Sequence, residues 1–149
     1  MKVSIAVYGR FHAFNLAKQL QDQNSLHSLI TTYPAYKVAE FGIKIDLIES
    51  LIYLEILSRG WSKLSALLKN DFNSQLLWLE WFDRDVAKRL NGDFDIFVGW
   101  SGACFESFRR AKELGAKTVV ERGSSHMAYQ TRILEEERSE EHTSELQSQ

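Results

Sequence analysis

The spacing of apolar residues changes period several times along the chain. Residues 2–8, KVSIAVY, are almost wholly apolar, the pattern of a strand buried on both faces in a parallel sheet. Gly9 punctuates that run. Ala13, Leu16, Ala17 and Leu20 then recur at i, i+3, i+4 and i+7, which is one face of a helix. LHSLITTY, residues 26–33, reads as a second strand stopped by Pro34. Strand, glycine turn, helix and strand in that order predict the opening of a βαβ unit.

The middle, residues 35–90, reads as a helical insertion. Asp46 with Glu49 three positions on has the form of a capping box, and Leu47, Leu51 and Leu54 follow on one face. Gly60 suits the position just past a helix end. SKLSALLK, residues 62–69, predicts a short further helix. A longer one is expected over 73–90, with Leu79, Phe82, Val86 and Leu90 on one face and Asn91-Gly92 as its stop. Trp61, Trp78 and Trp81 stand among these leucines. Aromatic and leucine residues at helical spacing predict burial in the core. A helix lying on a membrane surface would also carry a polar face rich in Lys and Arg. Residues 61–90 mix Lys63, Lys69, Arg84, Lys88 and Arg89 with Asp71, Glu80, Asp83 and Asp85.

The strand–helix rhythm returns at DFDIFVG, residues 93–99. SGACFESFRRAKEL predicts a helix with Ser101 as N-cap and Gly115 as its stop. KTVVE, residues 117–121, is a further strand, and SHMAYQTRILEEE starts another helix at Ser124 or Ser125. The expected fold class is therefore α/β: a Rossmann-like parallel sheet with helices on both faces and a helical insertion in the middle.

Composition narrows the class. The chain has 149 residues, of which 44% are hydrophobic and 26% charged, a balance that fits a globular domain rather than a disordered chain. A net charge of -2 argues against a nucleic-acid partner. The single cysteine, Cys104, allows no intramolecular disulfide and fits a reducing compartment. The apolar run near the N-terminus is too short for a signal peptide or a membrane span, so the cytoplasm is the expected location.

Residues 138–149, RSEEHTSELQSQ, differ from all that precedes them, with one leucine and no other large apolar residue. RSEEHTSELQS resembles one translated reading frame of a widely used sequencing adapter at every position. The expected division is thus a domain over 1–137, continuing in the natural protein, and an adapter-derived disordered tail over 138–149. Setting the tail aside removes Arg138 and three glutamates from 18 basic and 20 acidic residues, leaving 17 of each. The acidic end then says nothing about a partner.

Ligands of open parallel sheets bind beyond the carboxyl ends of the strands. Three such ends carry functional groups here. The first strand leads to Gly9, Arg10, Phe11 and His12; the third recognised strand leads to Trp100, Ser101 and Gly102; the fourth leads to Glu121, Arg122, Gly123, Ser124, Ser125 and His126. Each precedes a helix start, where unpaired N–H groups and a partial positive charge suit phosphate. Plainer roles stand beside these. Gly9 can be only a tight turn, and Arg10 only a surface cation. His12, Ser101 and Ser125 can be only caps, Glu121 with Arg122 only an ion pair, and Cys104 only core. Neither a GxGxxG fingerprint nor a phosphate-binding GKS/T loop is present. The density of polar groups over 121–126 favours a functional reading there.

MKVSIAVYGRFHAFNLAKQL, DIFVGWSGACFESFRRAKELGAKTVVERGSSH and YQTRILEEE together resemble the N-terminal half of bacterial glycosyltransferases of the family 4 (group 1) type. The resemblance covers roughly residues 1–137, rests chiefly on VERGSSH, and is thin over 35–90. It implies the GT-B architecture, two Rossmann-like domains facing across a cleft. It also implies retaining transfer of a sugar from a nucleotide-sugar to a glycan, lipid or other acceptor, without an obligatory metal or cofactor. In that family this half mainly holds the acceptor. The resemblance places Gly9-Arg10 near the donor phosphates and aims His126 at the donor sugar. It gives Arg122 the task of orienting Glu121 or contacting phosphate. Catalytic roles are thereby expected for His126, Arg122 and Glu121. Ligand-binding roles are expected for Gly9, Arg10, Ser101, Gly102, Gly123, Ser124 and Ser125. A lipid acceptor implies a place at the inner face of the membrane. The nucleotide-binding C-terminal domain lies outside these residues, so the chain alone is expected to be inactive. The competing expectation is a stand-alone Rossmann-like module for a nucleotide or another small ligand.

Overall fold

A computed structural model describes residues 1–10, 12–67, 74–122 and 131–133. In chain order its elements are β1 (Val3–Val7), α1 (Ala13–Asp22), β2 (Leu26–Thr31), α2 (Ala35–Ala39), a 3-10 turn (Ile45–Leu47), β3 (Ile48–Ser50), α3 (Ile52–Leu67), α4 (Gln75–Arg89), β4 (Ile96–Trp100), α5 (Phe105–Glu113) and β5 (Lys117–Glu121). The strands form one parallel sheet in the order β3-β2-β1-β4-β5.

The alternation of side chains along the central strands builds two core layers. Val3, Ile5 and Val7 of β1 and Val98 and Trp100 of β4 pack with Ala13, Phe14 and Ala17 of α1 and Val38 of α2. Ala6 of β1 and Phe97 of β4 belong to a second layer, with Leu54 of α3, Phe82 and Val86 of α4 and Ala111 of α5. Both faces of the sheet are thus covered over β1 and β4, as near-continuous apolar strands require, while β5 at the edge stays exposed. Phe14, Phe82 and Phe97 are fully buried, each favouring the fold by about 1.5–3 kcal/mol through removal of its ring from water.

The chain runs outward from β1 through β2 to β3, then crosses back to β4 on the far side of β1. The two sets of helices lie on opposite faces, α1 and α2 on one and α3, α4 and α5 on the other. The direction of winding reverses between β1 and β4, and the carboxyl ends of those strands flank the resulting crevice.

The middle segment is not wholly helical. Residues 48–50 form β3, which pairs with β2 from Leu29–Ile48 to Thr31–Ser50, and the Leu51 N–H extends the ladder to the Thr31 carbonyl at 2.7 Å. Asp46 lies in the 3-10 turn and Glu49 in the strand, so they do not form a capping box. Leu47, Leu51 and Leu54 match a helical spacing across three different settings: turn, loop and helix. Gly60 lies inside α3 rather than past its end, and residues 62–67 continue the same helix.

Trp61 and Trp81 depart from the expected core, at 38% and 51% exposed, and Trp78 is half-buried. The physical reason is the uneven seating of α3. Leu54, in its first turn, is its one buried residue, with Leu51 buried just ahead of it, while the rest of the helix runs on along the outside of the body.

Candidate functional site

Gly9 closes β1 with φ +86°, a conformation that suits glycine, and nothing lies within 4 Å of where a side chain would begin. Its backbone is tied to the end of β2. The Thr31 hydroxyl donates to the Gly9 carbonyl at 2.7 Å, and the Gly9 N–H donates to the Thr32 hydroxyl at 3.0 Å. Thr31 and Thr32 are buried, and their hydroxyls are satisfied by this turn. Gly9 therefore offers a ligand open space rather than a free N–H.

Arg10 is exposed, and its guanidinium carbon stands 4.8 Å from the centroid of the Phe41 ring. Phe41 packs on Phe14 at 5.3 Å, and Phe14 on Tyr33 at 5.8 Å. The aromatic row gives the cation a shelf at the strand ends without neutralising it. His12 is exposed at the N-cap position of α1 and makes no side-chain capping bond.

Trp100 and Glu121 are register partners at the ends of β4 and β5, and the Ser101 N–H donates to the Glu121 carbonyl at 2.9 Å. That bond holds the two strand ends together and brings Ser101 beside Glu121. Ser101, Gly102, Glu121 and Arg122 are all exposed. Gly102, at φ +95°, has open space on its side-chain side. Among the described residues, no ion pair joins the Glu121 and Arg122 side chains, so the plain reading of that pair does not hold. Gly123, Ser124, Ser125 and His126, together with Phe11, lie outside the described residues.

Ser101 is not an N-cap. α5 begins at Phe105, and its cap position, Cys104, makes no side-chain bond. Asp83 of α4 does the capping instead. Its carboxylate accepts from the N–H groups of Glu106 at 2.7 Å and Ser107 at 2.9 Å, and from the Ser107 hydroxyl at 2.6 Å. A negative charge at a helix start also meets the positive end of the helix dipole. Asp83 is 5% exposed, yet every oxygen is engaged. Its sequence signal is position: it falls four residues after Leu79 and three before Val86, on the apolar face.

Gly99, inside β4, is the second positioning residue that turn-based reading does not single out. A side chain there would stand 2.7 Å from the Cys104 Cβ and 2.8 Å from Phe108. Only glycine lets the start of α5 lie this close to the sheet, and a glycine within a strand is the signal of such an approach.

A cavity of about 560 Å³ opens between α4 and α5, lined by Leu79, Glu80, Phe105, Phe108, Arg109 and Val120 among others. It lies beside the strand-end cluster, sharing Gly102 with it, and its walls are largely apolar. Cys104 also faces this cavity. Burial, reinforced by the negative charge of Asp83, pushes its thiol up to about 11, which keeps it protonated and poorly nucleophilic near neutral pH. At the end of β1, burial also raises the Tyr8 phenol above its usual value, with the charge of Glu55 adding to the effect.

Gly9, Arg10, Ser101, Gly102, Glu121 and Arg122 thus share one edge of the sheet, and the ends of β1 and β4 flank the crevice. Among the described residues, no three His, Cys, Asp or Glu side chains converge as a metal site would need. Comparison of the chain with protein-family models, with curated proteins and with solved structures found no match.

Proposed function

We propose that this chain is the acceptor-side Rossmann-like domain of a glycosyltransferase that takes its sugar from a nucleotide-sugar. One observation carries the reading. Exposed cations and open glycine turns gather on the carboxyl edge of an all-parallel sheet, at the crevice where its winding reverses. Sugar transfer breaks the bond from the anomeric carbon to a diphosphate oxygen and forms one to an acceptor hydroxyl oxygen, whose proton passes to the leaving diphosphate. Negative charge grows on the leaving diphosphate. Arg10 and Arg122 are the residues to meet it, because a fixed cation stabilises charge that develops in the transition state. The openness at Gly9 and Gly102 lets a phosphate or sugar approach the backbone. Glu121 is held beside Ser101 and serves to orient hydroxyl groups. His126 keeps, in this proposal, the donor-sugar role that the resemblance gives it. A facing donor domain completes the cleft in the GT-B architecture, and transfer is expected of the two together.

The test measures sugar transfer from uridine and guanosine diphosphate sugars by the two-domain protein, this chain together with its facing donor domain. Arg10→Ala and Arg122→Ala should each lower turnover severalfold with the fold retained. Undiminished turnover in both variants would sink the proposal. Binding of a nucleotide by this chain alone, with an equal response to nucleoside monophosphates lacking sugar, would favour a stand-alone nucleotide-binding module.

A further inference from the structure

The sheet ends in two different edges. β3 is three residues long and half-buried throughout, and Glu49 at its centre lies 3.9 Å from Arg89 of α4. β5 is five residues long and exposed at every position but the half-buried Thr118, with Val119 44% and Val120 55% exposed. It contains no proline, and its register with β4 runs without a shift. A regular, bare edge with apolar side chains is a template for another strand.

The hydrogen bonds to β4 fix which backbone groups of β5 are left over. The Lys117 N–H donates to the Asp95 carbonyl, and the Ser101 N–H donates to the Glu121 carbonyl, each at 2.9 Å. The N–H and C=O of one strand residue point to the same side, and successive residues alternate. Lys117, Val119 and Glu121 therefore turn their backbone groups toward β4, and Thr118 and Val120 turn theirs outward. Among the described residues no strand pairs with that outer side.

We propose that β5 pairs antiparallel with β5 of a second copy of this chain, about a twofold axis at Val119. KTVVE is its own complement in that register. Lys117 of one copy stands opposite Glu121 of the other, twice over, and Val119 meets Val119. Thr118 stands opposite Val120, and these two carry the outward backbone groups, so each such pair exchanges two hydrogen bonds. The Lys117–Glu121 and Val119–Val119 pairs are then the ones without backbone hydrogen bonds, whose side chains approach most closely. Moving the axis to Thr118 or Val120 still pairs the outward groups but sets Val119 against a charge, so side-chain matching selects one register. Val98 is the partner of Val119 in β4, so an apolar row runs across four strands of the joined sheet. A patch that matches itself is what a twofold dimer requires. The pairing also brings a lysine of the second copy to each Glu121, so each strand-end cluster gains a cation from the other copy. The proposal goes beyond the sugar-transfer reading and does not rest on it.

The experiment is sedimentation velocity of the full chain across the micromolar range, beside a series of charge variants. The unaltered chain should sediment as a dimer at the upper end of that range. Lys117→Glu and Glu121→Lys each set like charges opposite one another at two places, and each should weaken dimerisation by about tenfold. Lys117→Glu with Glu121→Lys exchanges the charges and should restore dimerisation to within about threefold of the unaltered chain. Val120→Pro removes an outward N–H that β4 does not use, so the dimer should be lost while the circular dichroism spectrum is retained. If that variant does not fold, the charge series decides alone. A folded, unaltered chain that stays monomeric overturns the proposal. So does a dimer that the single charge reversals leave intact, or a double reversal that dimerises no better than the single ones. Either of those assigns association to another face, such as the exposed apolar side chains of α3 and α4.

Discussion

α1 and α3 are both helices with an apolar stripe, yet the sheet absorbs only one of them. α1 buries Ala13, Phe14 and Ala17 within ten residues, whereas α3 buries only Leu54 within sixteen. The difference follows from the strands each helix connects. α1 joins β1 to β2, which are neighbours, so both of its ends hold it against the sheet. α3 leaves β3 at one edge, and the next strand, β4, lies beyond β2 and β1. The connection has to cross the sheet, where α4 buries Phe82 and Val86 in the core and α5 packs on β4 and β5. Helical periodicity identifies the apolar side of a helix; strand order decides whether anything lies against it.

The largest expected effect tests this contrast directly. Phe14 is 1% exposed and packs on Tyr33 and Phe41, so Phe14→Ala should cost about 3–5 kcal/mol through lost burial and the cavity left behind. Leu57 is 48% exposed, and Leu57→Ala should stay within about 0.5 kcal/mol. Urea unfolding of the two variants measures both. A cost at Leu57 approaching that at Phe14 would mean that the stripe of α3 is packed, and the comparison would collapse.

α4 shares the crossing segment with α3 but is anchored by a polar tie. Asp83→Ala removes the acceptor of two N–H groups and one hydroxyl at the start of α5, leaving buried donors without a partner. The expected loss is about 2–3 kcal/mol, with Asp83→Asn intermediate because it keeps one acceptor oxygen. Hydrogen exchange should quicken first at Glu106 and Ser107. A loss below about 0.5 kcal/mol in the Ala variant would show that solvent satisfies those groups and that α4 does not hold α5.

The same contrast accounts for what is legible in the sequence. β1, β2, β4 and β5 can be read because they are short apolar runs closed by glycine, proline or polar clusters, and α1 because its stripe has a core to meet. β3 cannot, since Ile48-Glu49-Ser50 has neither a continuous apolar run nor enough residues to show alternation. Its place is decided by pairing with β2, a tertiary fact. The strand-end cluster is readable as far as Gly9, Arg10, Ser101, Gly102, Glu121 and Arg122, because topology sends parallel strand ends to one edge. The capping of α5 is not readable at Ser101. A serine before a helix is the local solution to unpaired N–H groups, and here a carboxylate from another helix supplies the bond. Trp61 and Trp81 read as core but lie outside it, because hydrophobicity alone does not say which apolar faces find cover.

The smallest effect bears on α3 itself. Gly60 lies in the helix interior, with no atom within 4 Å of where a side chain would begin and no left-handed φ. Alanine fits there without strain and loses less conformational freedom on folding than glycine, so Gly60→Ala should stabilise the chain by about 0.5–1 kcal/mol. Thermal unfolding should show a rise of a few degrees at most, with helical ellipticity unchanged or slightly increased. A loss of stability would mean that Gly60 adopts a conformation alanine resists and that the helix ends there, with residues 62–67 a separate piece. The apolar stripe would then be split, and Leu64 and Leu67 would no longer continue the face that begins at Tyr53.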